Sequence, residues 1–237
     1  MSFRIPTLAC MLFLAPWLFS QDNRSTAEAI HSTQLEDTTF ARSYFAFEAA
    51  MAELNTSGFR SAETMTIPVV IHVIHAGEDI GDGSNVSDEQ VWSAMDALNA
   101  DFAGTFGGAD VNIDFALAAR DPNGHPTNGI VRINAAAVIP SFANTGMVTT
   151  TSNDPASELA IKNLSHWPGE DYLNVWVVSK MNGGTSPLGF AYLPPTTGIH
   201  DGVVLHHQVF GVGAGFNLLH NFDLNRTLTH EVGHYLG

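Results

Sequence analysis

Residues 226–237 read RTLTHEVGHYLG, and the fold of this stretch decides how the rest of the chain is read. On an α-helix, at 100° per residue, His230 and His234 fall on one face, about 40° and one turn apart. Two imidazoles so placed can each aim a ring nitrogen at one ion, at the ~2.0–2.1 Å of a zinc–nitrogen bond. Glu231 is rotated by ~100° from His230, too far round to ligate comfortably. Its carboxylate can still reach a water on the ion and take its proton as that water attacks a carbonyl. Leu228 and Val232 point elsewhere and would anchor the helix in a core. Gly237, three residues past His234, can end the helix with positive φ and turn the chain back towards the metal. The same glycine is also read as an ordinary helix cap.

Upstream, the pattern is of strands with one long helix. TIPVVIHVIHAG (66–77) is a β-branched run closed by glycine, a buried strand. In NVSDEQVWSAMDALNADFAG (85–104), Ser87 is a good N-cap with Gln90 in capping-box position. Val91, Met95, Leu98 and Phe102 recur at helical spacing. VNIDFALAAR alternates as a half-buried strand and DPNGHPTNG is a turn-rich loop. Residues 134–170 read as irregular, with one short helix near DPASELAIKNL. DYLNVWVVSK, SPLGFAYLPP and DGVVLHHQVF are three further strands, the middle one an edge strand stopped by Pro194 and Pro195. GVGAGFNLLHNFDLN is a loop that lacks the helix and lysine of a phosphate-binding loop. The order is β-α-β, then β-β-β, then the histidine helix.

With the glycine, H-E-x-x-H-x-x-G resembles the start of the metzincin zinc motif. IPVVIHVIH, VSDEQVWSAMDALNADFAG, IDFALAARDPNGHPTNGIVR, YLNVWVV, LGFAYLP, DGVVLHH and RTLTHEVGHYLG are similar, in consistent order, to one metzincin branch, the pappalysins. The resemblance covers residues 66–237. It implies an α+β fold: a metzincin-like N-terminal subdomain with a twisted, mixed five-stranded sheet, a backing helix and an active-site helix. It makes His230 and His234 zinc ligands and Glu231 the general base. LGFAYLP becomes the cleft-lining edge strand, with Gly189, Phe190 and Ala191 as substrate contacts through main-chain pairing. The family's third histidine would fall at the third position beyond Gly237, so the sequence is expected to be an N-terminal part of an enzyme, with negligible peptidase activity by itself. Two other readings stay open. One is a zinc peptidase with a distant glutamate as third ligand; the other is a secreted, non-catalytic binding module with an incomplete metal site. The residues following Gly237 would separate them.

The chain starts with Arg4 and an apolar run from Ile5 to Phe19, the layout of a secretory signal peptide over residues 1–20. Residues 21–64 are polar and helix-biased, with an apolar patch at Phe45, Phe47 and Met51. They read as a propeptide or linker, or as a helical arm packed on the catalytic domain of residues 65–237. Cys10 is the only cysteine and lies in the signal. A cysteine-type block of the metal by residues 21–64 is therefore excluded, and any such block falls to another side chain. A formal net charge of −15 repels nucleic acid and anionic membranes, and no stable membrane insertion is expected. The expected partners are protein or peptide substrates, in the extracellular space. Zn2+ is the expected cofactor and Ca2+ a second candidate, although GEDIGDGSN lacks the ligand spacing of an EF-hand.

Among the remaining histidines, His72 and His75 read as packed in the first strand. His206 and His207, at a strand end, should face opposite ways and not share one site. His31, His125 and His166 show no recognisable spacing. Sequons occur at Asn23, Asn55, Asn85, Asn163 and Asn225.

Overall fold

The computed structural model describes residues 30–56, 64–150 and 152–237. The signal-peptide reading of residues 1–20 lies outside them, as do residues 21–29 and 57–63 of the expected propeptide or linker.

The long apolar run forms β1 (Met65–His75), the strand around which the sheet is built. The others are β2 (Ile113–Leu117), β3 (Ile130–Asn134), β4 (Leu173–Val178), β5 (Gly189–Ala191) and β6 (Val203–His206). Their order is β2-β1-β4-β6-β5, with β3 also paired to β1. β2 takes Met65–Val69 and β3 takes Ile71–His75, both parallel, along the same edge of β1. The sheet therefore has the five strand positions that were expected, filled by six strands. β3 was not read from the sequence, because Ile130–Asn134 is short and carries Arg132 and a closing Asn134. All pairings are parallel except β5 against β6, which is antiparallel and leaves β5 as an edge.

Period-2 alternation splits the sheet's side chains between two cores. Val69, Ile71, Val73, Val175, Val177, Val203, Leu205 and Ala191 enter the first. Ile74, Trp176, Val178, Val204 and Phe190 enter the second. The backing helix (Asp88–Phe102) closes the first core with Val91, Ala94, Met95 and Leu98. Ser87 caps it as expected, accepting from Gln90 N–H. The Gln90 side chain does not complete a capping box: its Nε2 donates to Phe210 O at 2.7 Å, tying down the loop beyond β6. Two single-turn helices (Ala135–Val138 and Phe142–Thr145) and the helix Glu158–Lys162 cover the other core.

In the N-terminal segment, residues 30–36 are helical and a second helix runs Thr38–Thr56. Asp37 divides them, its Oδ1 accepting from Thr39 N–H and Phe40 N–H at 2.7 and 3.1 Å. No helix among the described residues is long and apolar enough to cross a membrane.

Candidate active site

RTLTHEVGHYL forms the expected site helix, Arg226–Leu236, beneath β5 and β6. Leu228 and Val232 are fully buried in the first core. Two polar residues that the sequence reading did not single out dock this helix on the backing helix. Asn225 precedes it in the left-handed region at φ 58° and is fully buried. Its Oδ1 accepts from Gly211 N–H at 2.8 Å and its Nδ2 donates to Ala94 O at 3.0 Å. Asp101 accepts from Arg226 and, at 2.5 Å, from the hydroxyl of Thr229. Asn225 had been noted only as a sequon. Its amide is occupied inside the protein, and so is that of Asn85, which donates to Glu78 O at 2.8 Å.

On the exposed face of the helix, His230 and His234 turn their rings together. Their Nε2 atoms are 3.1 Å apart and the ring planes stand at 88°. Two zinc–nitrogen bonds of ~2.05 Å at a tetrahedral angle place their nitrogens ~3.3 Å apart, so this pair fits a shared tetrahedral cation. Burial, then His230, then His31 push the His234 imidazole down to about 4, which keeps it in the neutral form that binds metal. No group of three metal-ligating side chains converges among the described residues.

Glu231, the next residue after His230, faces inward and is only 3 % exposed. One carboxyl oxygen, Oε2, has no hydrogen-bond partner. Burial raises its pKa to about 8, against the opposing bond from Ala191 N–H. An orphaned buried carboxyl beside two converging imidazoles suits a nearby cation, which would favour the ionised form.

β5 roofs this site. His206 N–H donates to Leu188 O at 2.8 Å. In an antiparallel ladder the main-chain groups then face the partner at every second residue, so those of Phe190 point to β6 and those of Gly189 and Ala191 point away. Gly189 lets the strand approach the helix: a Cβ there would lie 2.7 Å from Leu205 Cδ2 and 3.1 Å from Glu231 Cγ. Of the three expected substrate contacts, Gly189 and Ala191 thus present main-chain groups outward. Phe190 is fully buried on the opposite face of the strand, against Tyr192.

That opposite face holds a cluster the sequence reading missed. Lys162 is fully buried, with Nζ 2.8 Å from Glu158 Oε1, 3.1 Å from His200 O and 4.6 Å from the centre of the Trp176 ring. Tyr192 Oη donates to Glu158 Oε2 at 2.7 Å. A hollow of about 590 Å³ opens between this cluster and the N-terminal segment, on the side of β5 away from Glu231.

The other histidines are distributed as follows. His72 is buried, bonded to Asn174 Oδ1 at 2.9 Å and stacked on Trp176. His206 and His207 do not face opposite ways: their rings stack with centroids 4.6 Å apart. β6 ends at His206 and His207 begins a tight helical turn, which breaks the alternation on which that expectation rested. His31 lies at the site itself, its ring edge-on to His234 with centroids 4.5 Å apart.

A parallel sheet with one antiparallel edge strand, above a helix presenting two histidines and a glutamate, defines a metzincin-type metallopeptidase. The family model described as pregnancy-associated plasma protein-A matches residues 156–237. The fold is similar to that of mirolysin in complex with a small compound, at TM-score 0.58 and 33 % identity, covering 74 % of this chain and 64 % of that one. It is also similar to a promirolysin mutant of Tannerella forsythia, at TM-score 0.58 and 30 % identity, covering 87 % of this chain and 66 % of that one. Curated relatives include extracellular metalloproteases of Colletotrichum graminicola (25 % identical over 215 residues, 88 % of this chain and 62 % of the relative) and Coccidioides posadasii (29 % over 202 residues, 81 % and 59 %). The chain spans about three fifths of the length of these relatives. Together these matches support a metzincin-type peptidase of the pregnancy-associated plasma protein-A, or pappalysin, kind.

Proposed function

We propose that this protein is a secreted zinc-dependent endopeptidase, with His230 and His234 as metal ligands and Glu231 as the general base. The observation that carries the reading is the Nε2 pair, 3.1 Å apart, with the buried Glu231 carboxyl, one of its oxygens unpartnered, one residue along. A binding module with a vestigial metal site has no use for a buried carboxyl with one oxygen left unpartnered, which favours the catalytic reading. Zinc, when bound, supplies the Lewis acidity that polarises a scissile carbonyl and acidifies a water.

The chain's own residues do the rest. Glu231 takes the proton of the attacking water and returns it to the departing amine nitrogen. Ala191 N–H fixes one side of the Glu231 carboxyl. The main chain of Gly189 and the carbonyl of Ala191 are offered outward to an extended peptide, while Phe190 pins the strand to the second core. The substrates are proteins or peptides. Extracellular relatives support secretion, with residues 1–20 as the signal. The likeness to promirolysin reaches over more of this chain than the 74 % covered by the mature enzyme, which supports reading residues 21–64 as a propeptide.

The test is peptide hydrolysis by the protein at its full encoded length, before and after chelation and zinc return. Activity should vanish with the chelator and return with zinc. Glu231→Gln should lose roughly 10²–10⁴-fold in kcat while keeping its zinc. Hydrolysis that is indifferent to zinc or to Glu231 would overturn the assignment.

A further inference from the structure

β5 is three residues long and pairs on one side only, with β6. Towards the site helix it carries a hydrogen at Gly189 and a methyl at Ala191, which give it little to be held by. Its height above that helix nevertheless matters twice. Ala191 N–H has to reach the Glu231 carboxyl, and the main chain of Gly189 has to meet an extended peptide. The strand is held from behind. Phe190 and Tyr192, the residues on either side of Ala191, turn their rings to the Lys162 ammonium, whose Nζ lies 5.7 and 5.4 Å from the ring centres. A cation is attracted to an aromatic face, and more strongly where water is excluded, as around the fully buried Lys162. The ammonium is itself fixed, by Glu158 Oε1 at 2.8 Å, by His200 O at 3.1 Å and by the Trp176 ring of β4 at 4.6 Å. Tyr192 Oη donates to the other Glu158 oxygen at 2.7 Å, and its ring meets that of His200 edge-on at 5.2 Å.

We propose that Lys162 and Glu158 are positioning residues for the substrate edge: through the rings of Phe190 and Tyr192 they hold Ala191 at the height where its N–H meets Glu231. Two anchored side chains flank one residue, so the peptide groups on both sides of Ala191 are fixed together. Apolar packing alone would hold the rings without direction, whereas the Tyr192–Glu158 hydrogen bond has a preferred length and angle and so sets the strand's register. The helix Glu158–Lys162 and the tight turn Gly198–His200 are thereby part of the frame of the site, although they lie behind β5. The consequence for hydrolysis rests on the proposed function; the placement of Ala191 does not.

The test is residue-resolved amide hydrogen exchange of the 237-residue chain, comparing Ala191 N–H with the amides of Val73 and Val177 in the middle of the sheet. Tyr192→Phe removes only the hydroxyl that reaches Glu158, and Phe190→Leu removes the aromatic face but keeps an apolar side chain. Neither leaves a buried charge without its partner. Each should speed exchange at Ala191 by roughly tenfold relative to Val73 and Val177. No change at Ala191, or an equal change at all three amides, would make the cluster a source of stability only and overturn the proposal. In the protein at its full encoded length, Tyr192→Phe should also raise KM more for a peptide long enough to run along β5 than for one too short to reach it, with zinc content unchanged. A KM raised equally for both peptides, or for neither, would likewise overturn it. Absence of zinc-dependent hydrolysis in the unsubstituted protein would sink the proposed function instead, and the exchange at Ala191 would still decide the placement.

Discussion

The two faces of β5 each bury a glutamate, and the two are held in opposite ways. On the Phe190 and Tyr192 side, Glu158 is 8 % exposed and meets Lys162, His200 and Tyr192. Burial alone would push its pKa up, but the His200 bond, the Lys162 charge and the Tyr192 hydroxyl together bring it down to about 2. On the Gly189 and Ala191 side, Glu231 is 3 % exposed, with one oxygen unpartnered, and burial carries it up to about 8. Burial is nearly the same for both, so partners set the difference. A buried carboxyl surrounded by a lysine, an imidazole and a hydroxyl holds a fold together. One left half-bonded beside two imidazoles is available for chemistry, and this contrast sets the proposed general base apart from the structural carboxyl.

Stability measurements can break the comparison. The largest effect is expected for Glu158→Ala, which leaves the fully buried Lys162 without its carboxylate. Unfolding in urea should show a loss of about 3–5 kcal/mol. A loss below ~1 kcal/mol would mean that the pair is no more structural than a surface ion pair.

The pH dependence comes next. Glu158 has a folded pKa depressed to about 2, against an ordinary value of 4.5. Above ~4.5 both states are ionised and its stabilisation is fully present; as pH falls towards ~2 the unfolded state takes up the proton first and stability is lost. That limb is on the order of 3 kcal/mol. It should be present in the native chain and absent from Glu158→Gln, so the stability difference between them should shrink as denaturant titrations are taken from pH 5 to 2.5.

Smaller still is Gly189→Ala. The added methyl meets Leu205 and Glu231 and should lift β5 from the site helix, at a cost of ~1–3 kcal/mol in unfolding free energy. Glu231→Gln should change the metal-free stability by less than ~1 kcal/mol, because an already unpaired oxygen has little bonding to lose. A loss of the size expected for Glu158→Ala would erase the distinction between the two carboxyls.

Periodicity and chemistry that repeat within one element were legible in the sequence. The i, i+4 histidines, the Ser87 cap, the amphipathic Val91–Phe102 face and the continuous apolar run of β1 each follow from local rules and are all present. Contacts made across the fold were not legible. Glu158 and Lys162 stand four apart on a short helix, a spacing common to surface pairs; only the packing of Trp176, Phe190 and Tyr192 around Lys162 shows it to be interior. Asn225 looked like a surface sequon until the backing helix and Gly211 took both ends of its amide. His31 has no spacing partner because its neighbours, Ala191 and His234, lie 160 and more residues away. β3 exists because the far half of β1 needs a partner after β2 ends, and five mixed residues do not announce that.

The central claim is that one cation is shared by the two helix histidines while Glu231 stays unbound beside it. The most direct measurement is an anomalous difference map, collected across the zinc absorption edge from crystals grown with zinc. The account predicts one strong peak within bonding distance of Nε2 of both His230 and His234, with no bond to Glu231. A peak at other residues, or one ligated by the Glu231 carboxylate, would contradict it.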